Sequence, residues 1–136
     1  MSPNLNMPKE EEIERLLRVC CEALDDKKAD DIRILQMGEK CTIADYFIIA
    51  TGRSAPHLKA LHRSLETNLK DNGIQIFGKG RYRPSGWVVI DAIDVVVHVF
   101  SREAREFYAL ESLWKDAEIL NPSLFITDEA TAGAGN

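Results

Sequence analysis

The chain is poor in the residues that most enzyme chemistry requires. It holds three histidines and three cysteines in 136 residues. His57, His62 and His98 combine neither with one another nor with a cysteine at metal-ligand spacing, so neither a metal nor any other cofactor is expected. Cys20 and Cys21 are adjacent and Cys41 stands alone. That odd count argues against a disulfide framework and suits a reducing compartment. The three are read as small core hydrophobes. No apolar run reaches the ~18 residues of a bilayer span. Residues 1–7 lack the basic-then-apolar pattern of a secretory leader. A cytoplasmic protein without membrane contact is the expectation. Positive charge is also scarce: 17 Lys and Arg face 22 Asp and Glu, a net charge of −5. Such a surface is a poor bulk binder of phosphate and a good match for a basic partner.

What is present is core material. Apolar residues make up 45% of the chain, enough for one core, and the length leaves room for a single domain. Residues 1–8 are expected to be loose, residues 9–127 to form the domain, and the small, polar stretch 128–136 to be a disordered tail. Ile13, Leu16, Leu17, Cys20, Cys21 and Leu24 recur at helical spacing and predict a helix over residues 8–27. Pro8 suits its first turn, and Glu10, Glu11 and Glu12 suit the positive end of its dipole. A strand follows over 31–37, ended by Gly38, and the apolar run 46–51 predicts a buried strand. Gly52-Arg53-Ser54 turns out of it, with Ser54 as cap and Pro56 in the first turn of a second helix. That helix carries Leu58, Leu61, His62, Leu65 and Leu69 and ends at Asn72-Gly73. Residues 74–77 predict a short third strand and 78–86 a polar, glycine-rich loop. Residues 87–91 and 95–100 predict a hairpin across Asp91-Ala92-Ile93-Asp94. Ser101 caps a third helix with Phe107, Leu110 and Trp114 on one face. Asn121-Pro122 then breaks the chain, and residues 124–126 are expected to dock back. The predicted order is α-β-β-α-β-β-β-α, an α/β (α+β) domain with a mixed five-stranded sheet flanked by helices.

Catalytic motifs are incomplete. Gly78-Lys79-Gly80 lacks the Walker spacing and precedes no helix. Gly52-Arg53-Ser54 resembles the nucleotide-binding turn of nucleotidyltransferases. Those enzymes also need two carboxylates on one strand face, two residues apart. Asp91 and Asp94 are three apart across a turn and diverge, so no catalytic residue is expected and Ser54 reads as a helix cap. A nucleotidyltransferase-like enzyme using Ser54, Asp91 and Asp94 is the alternative reading. His98 stands among valines with no nucleophile placed beside it, and reads as a hydrogen-bonded, half-buried imidazole. Lys79, Arg81 and Arg83 around Tyr82 fit either a peripheral RNA contact or a solvated loop. Trp87 and Val89 share one strand face, Val88 and Ile90 the other. One face is core. The other would present aromatic and branched side chains near Asp91 and Asp94, the composition of a binding hot spot. Spacing leaves open which face holds Trp87.

The stretch ADYFIIATGRS, residues 44–54, closely resembles the signature of the ribosomal silencing factor family, also called the Iojap family. Three further segments match in order: SAPHLKA at 54–60, GWVVID at 86–91 with DVVVHVF at 94–100, and REFYALESLW at 105–114. Together they span roughly residues 10 to 116, and four ordered motifs are far more specific than one. The resemblance implies a nucleotidyltransferase-like fold without the catalytic carboxylates. It implies binding to the large ribosomal subunit through ribosomal protein number fourteen, which blocks the small subunit and damps translation when nutrients are scarce. It also implies a homodimer in isolation. Trp87 matches the family tryptophan at the ribosomal contact. Asp91, Asp94, His98, Arg105 and Tyr108 match recurrent polar positions that contact the partner or support the contact. The chain departs from the family in its basic residues Lys79, Arg81 and Arg83, and in a tail that runs about twenty residues past Trp114, beyond the usual end.

Overall fold

Side chains alternate along the strands between two apolar covers, and this alternation sets the architecture. The computed structural model describes residues 9–38, 44–83, 86–114 and 117–126, with backbone alone for residues 78–83. The expected loose start, the expected tail from 128 and Cys41 lie outside the described residues. Among these, six strands form one sheet in the order β3-β4-β5-β2-β1-β6. They are β1 (Asp30–Gln36), β2 (Tyr46–Gly52), β3 (Phe77–Arg83), β4 (Trp87–Asp91), β5 (Val95–Ser101) and β6 (Glu118–Leu120). β2 and β5 run parallel, with Tyr46 opposite Val95 and Gly52 opposite Ser101, and the other pairs are antiparallel. The mixed sheet flanked by helices is the expected fold, enlarged by the three-residue β6.

The first sheet face lies under two long helices. Ile34, Ile48, Ala50, Val88, Ile90, Val95, Val97 and Val99 point into one core with residues of α1 (Lys9–Asp26) and α2 (Ala55–Asp71). The stripe predicted for α1 is that core: Leu16, Leu17, Cys20, Cys21 and Leu24 are buried. Burial, with the negative charges of Glu22 and Asp25, pushes the Cys21 thiol up to about 12, and burial raises Cys20 as well. Both thiols therefore stay protonated. Ser54 caps α2 as predicted, its Oγ accepting from His57 N at 3.1 Å. Gly52 is required just before it, because a Cβ there would meet Leu58 Cδ2 at 2.8 Å.

The second face carries Leu35, Met37, Ala44, Phe47, Ile49, Val96 and Phe100, with Trp87 and Val89 partly buried beside them. Its cover is thin: α3 (Arg102–Tyr108), α4 (Leu110–Leu113) and the segment after them. Two sequence expectations need correction here. The third helix is not one piece, because Ala109 takes a left-handed conformation (φ 44°, ψ 46°) and splits α3 from α4. Phe107 consequently faces out, 81% exposed, while Leu110 and Trp114 pack inward. The third strand is not residues 74–77 but Phe77–Arg83, the stretch expected to be a loop. It pairs with β4 through Arg81 opposite Val89, Tyr82 opposite Val88 and Arg83 opposite Trp87. An edge strand tolerates charge and glycine that an inner strand would not, and this hid it from pattern reading. Residues 117–126 are likewise part of the fold. β6 pairs with β1, and Phe125 inserts into the first core, as the expected return of residues 124–126 requires.

The β4–β5 turn is closed by Ala92 N donating to Val95 O at 2.9 Å. Its tip holds Ile93 at φ +68°, a conformation that a β-branched residue adopts only at a cost of about 1–2 kcal/mol. Ile93 is 52% exposed, and its N–H is held by Asp91 Oδ1 at 2.8 Å. Ile93→Gly is expected to stabilise the fold by about 1 kcal/mol, a rise of about 3 °C in Tm by differential scanning calorimetry.

Candidate partner-binding face

The second sheet face gathers its aromatic residues from several elements. β4 contributes Trp87, β5 contributes His98 and Phe100, and α3 ends on Tyr108. Trp87 lies 4.8 Å from Tyr108, 5.1 Å from Phe100 and 5.9 Å from His98, measured between ring centroids. On the far side of His98, Phe47 approaches edge-on at 4.9 Å, and Trp114 meets Phe47 at 5.9 Å. Antiparallel pairing explains the cluster, since Trp87 is opposite Phe100 and Val89 is opposite His98. Phe107 adds an edge contact to Tyr108 at 5.1 Å and reaches into solvent. Phe47, Phe100 and Trp114 are not among the partner-binding residues expected from the sequence. The period-two rule that pairs Trp87 with Val89 also places Phe100 with His98, and that signal was available.

His98 is buried, and burial pulls its imidazole down to about 4. It is therefore neutral at pH 7. Trp87 Nε1–H donates to His98 Nδ1 at 3.2 Å, so the ring carries its proton on Nε2. Among the described residues neither His98 Nε2 nor Trp114 Nε1 meets an acceptor. The Trp87–His98 bond fixes the indole, which stands half-buried with Tyr108 laid on it, 37% exposed. A rigid, partly covered aromatic platform of this kind contributes contact area with little conformational entropy to lose.

The other sequence candidates sit elsewhere. Asp91 and Asp94 occupy the turn at the far end of β4. Asp91 is engaged by Ile93 N, and Asp94 Oδ1 meets Lys9 Nζ at 3.6 Å. Arg105 lies at the opposite end, its side chain 11% exposed, bonded to Glu111, Thr51 Oγ1 and the Asp31 carbonyl. The backbone of Lys79, Arg81 and Arg83 runs beside β4 on the sheet edge, and their side chains lie outside the described part.

The alternative catalytic set does not converge. Ser54 follows the carboxyl end of β2, whereas Asp91 pairs with Val96 near the amino end of the parallel strands. About five residues of strand, on the order of 15 Å, separate the two ends. The Gly52-Arg53-Ser54 turn is also internally consumed. Arg53 forks onto Asp30 at 2.9 and 3.1 Å, and this bond holds the Asp30 carboxyl below its usual range. His57 accepts from Arg53 N through Nδ1 at 2.9 Å and donates through Nε2 to the Lys27 carbonyl at 2.7 Å. Among the described residues no three His, Cys, Asp or Glu side chains form a metal-ligating group. No helix there is long and apolar enough to cross a membrane.

A family model described as "Ribosomal silencing factor during starvation" matches residues 10–134. The chain belongs to the ribosomal silencing factor family. Ribosomal silencing factor RsfS of Bacillus subtilis strain 168 is 39% identical over 104 residues, covering 76% of this chain and 88% of the relative. The RsfS of Halalkalibacterium halodurans is 40% identical over 104 residues, covering 76% and 89%. A crystal structure of a Chromobacterium violaceum protein superposes with a TM-score of 0.72 at 36% identity, covering 80% of this chain and 88% of that one. The family match runs past Trp114, so the tail expected to exceed the family's usual end falls within the family's span. The RsfS family name describes a silencing factor and not an enzyme.

The buried imidazole yields a pH dependence of known sign. An unfolded histidine takes up its proton near 6.5, whereas His98 in the fold does so near 4. Between those values the unfolded chain binds the extra proton, so stability falls as pH drops through this window and is unaffected by His98 above it. The contribution approaches about 3 kcal/mol at pH 4. Urea midpoints at pH 7.5, 5.5 and 4.5 should diverge between wild type and His98→Gln, the variant losing less stability on acidification.

Proposed function

We propose that this protein binds the large ribosomal subunit through ribosomal protein number fourteen and blocks association with the small subunit, so repressing translation. The observation that carries this reading is family membership joined to the aromatic platform of Trp87, Tyr108 and Phe107 on the thinly covered sheet face. The mechanism is occlusion. It needs no catalytic group and no cofactor, only occupied area, on the order of 1,600 Å² in total for a stable contact. The net charge of −5 steers the domain toward a basic ribosomal protein. Trp87 anchors the contact and His98 holds its indole, while Asp91 and Asp94 place acidic groups at the β4–β5 turn. In this reading the protein works in the cytoplasm, forms a homodimer when isolated, and has residues 9–127 as its functional domain.

The experiment is cosedimentation with separated large subunits, paired with a subunit-joining assay. Wild type should pellet with large subunits and lower the yield of joined ribosomes. Tyr108→Ala and Trp87→Ala should each weaken binding by at least about 30-fold, as expected of a hot-spot aromatic. Failure of wild-type protein to bind large subunits at saturating concentration would remove the reading.

β3 supplies a second, peripheral contact in this proposal. Lys79, Arg81 and Arg83 are the three basic residues of the edge strand beside Trp87, and they meet phosphates of ribosomal RNA. Replacing all three with Gln should leave binding measurable while flattening its salt dependence by about two to three phosphate equivalents. An unchanged slope in a salt titration of the triple variant would show that these side chains touch no phosphate.

A further inference from the structure

We infer that Arg105 and Glu111 are positioning residues, a clamp that holds the α3–α4 bend and thereby lays Tyr108 on Trp87. The inference rests on the partner-binding face proposed above and assigns Arg105 a place behind that face. The pair is forked: Arg105 Nε donates to Glu111 Oε1 at 3.0 Å and Nη2 to Oε2 at 3.3 Å. The two residues are six apart. In a straight helix that spacing turns through about 600°, leaving the side chains about 120° apart around the axis and about 9 Å apart along it. Pairs three or four apart meet on a helix; pairs six apart do not. The fork therefore exists only because Ala109 leaves the helix, and Ala109, a residue with no glycine-like freedom, stays in the left-handed region at φ 44°.

The clamp is anchored to the sheet. Arg105 Nη1 donates to Thr51 Oγ1 and to the Asp31 carbonyl, each at 2.7 Å. Asp31 is itself at φ +46°, at an irregularity of β1. Glu111 receives a second cation, Arg33 Nη1, at 3.4 Å. Two strained non-glycine residues thus belong to one network centred on a guanidinium that is nearly covered. Strain of this kind persists only where its surroundings over-determine it. The bend offsets the register of α4 from that of α3, so that Tyr108 can lie on Trp87 with Phe107 in solvent while Leu110 and Trp114 still pack on the sheet face, which a straight helix would not allow.

Without the clamp, α3 and α4 relax toward one helix, Phe107 rotates to the sheet and Tyr108 leaves Trp87. The test uses the full chain with Glu111→Ala. Nuclear Overhauser contacts between the Tyr108 and Trp87 rings, present in wild type, should vanish. Affinity for separated large ribosomal subunits should fall at least tenfold at a temperature where the variant is fully folded by circular dichroism. Adding Ala109→Gly should restore both, because glycine favours the bend without the pair. If Glu111→Ala does not fold, Glu111→Gln decides instead: it keeps one acceptor, and ring contacts and affinity should drop to intermediate values. A folded variant that keeps the ring contacts overturns the clamp, whether it binds normally (no role) or weakly (a direct contact by Glu111). If wild-type protein ignores large subunits, the proposed function falls alone, and the ring contacts still test the clamp.

Discussion

A parallel pair of strands buried on both faces is the constraint from which the rest of this structure follows. β2 and β5 sit mid-sheet, and nearly every residue of both is buried. A sheet of this kind needs two covers. α1 and α2 supply a full one, a two-helix layer over valine, isoleucine and leucine. The other side receives only a short bent helix pair, with Trp114 and Ala117 after it. The imbalance leaves one face of the central sheet carpeted with rings that are shielded from water but not sealed from it.

Polar groups on that face are managed by neutrality. A charged imidazole among Phe47, Trp87 and Phe100 would be costly, so His98 stays unprotonated and spends its free nitrogen on the Trp87 indole. Charge is confined to the rims: acidic at the β4–β5 turn, and an internally matched set of arginines and carboxylates at the carboxyl end of the parallel strands. That second rim is where enzymes of related architecture bind nucleotide. Here Arg53 is bonded to Asp30 and His57, and Arg105 to Glu111, so these groups are matched within the protein.

Much of this was legible in the chain. Helical spacing from Ile13 to Leu24 located α1, the run 46–51 located the buried strand, and Ser54 with Pro56 located the start of α2, because each feature is local. The signature at 44–54, with the segments at 54–60, 86–100 and 105–114, carried the family resemblance. What escaped is what depends on partners distant in sequence. β3 reads as a loop because an edge strand needs no apolar alternation. The bend at Ala109 has no local signal, since alanine is a good helix former and only the fork between Arg105 and Glu111 holds it open. Which side of β4 held the Trp87 face could not be settled from alternation alone, because both sides of that strand carry apolar residues.

Cys20 and Cys21 lie at zero exposure between α1 and the sheet. Peroxide and electrophiles attack the thiolate, and with the Cys21 thiol pushed up to about 12 only on the order of one molecule in ten thousand would carry it near pH 8. A vicinal dithiol, ordinarily a sensor or a metal trap, is here chemically silent for as long as the domain stays folded. Oxidants that attack the thiolate would therefore spare α1 in the folded domain.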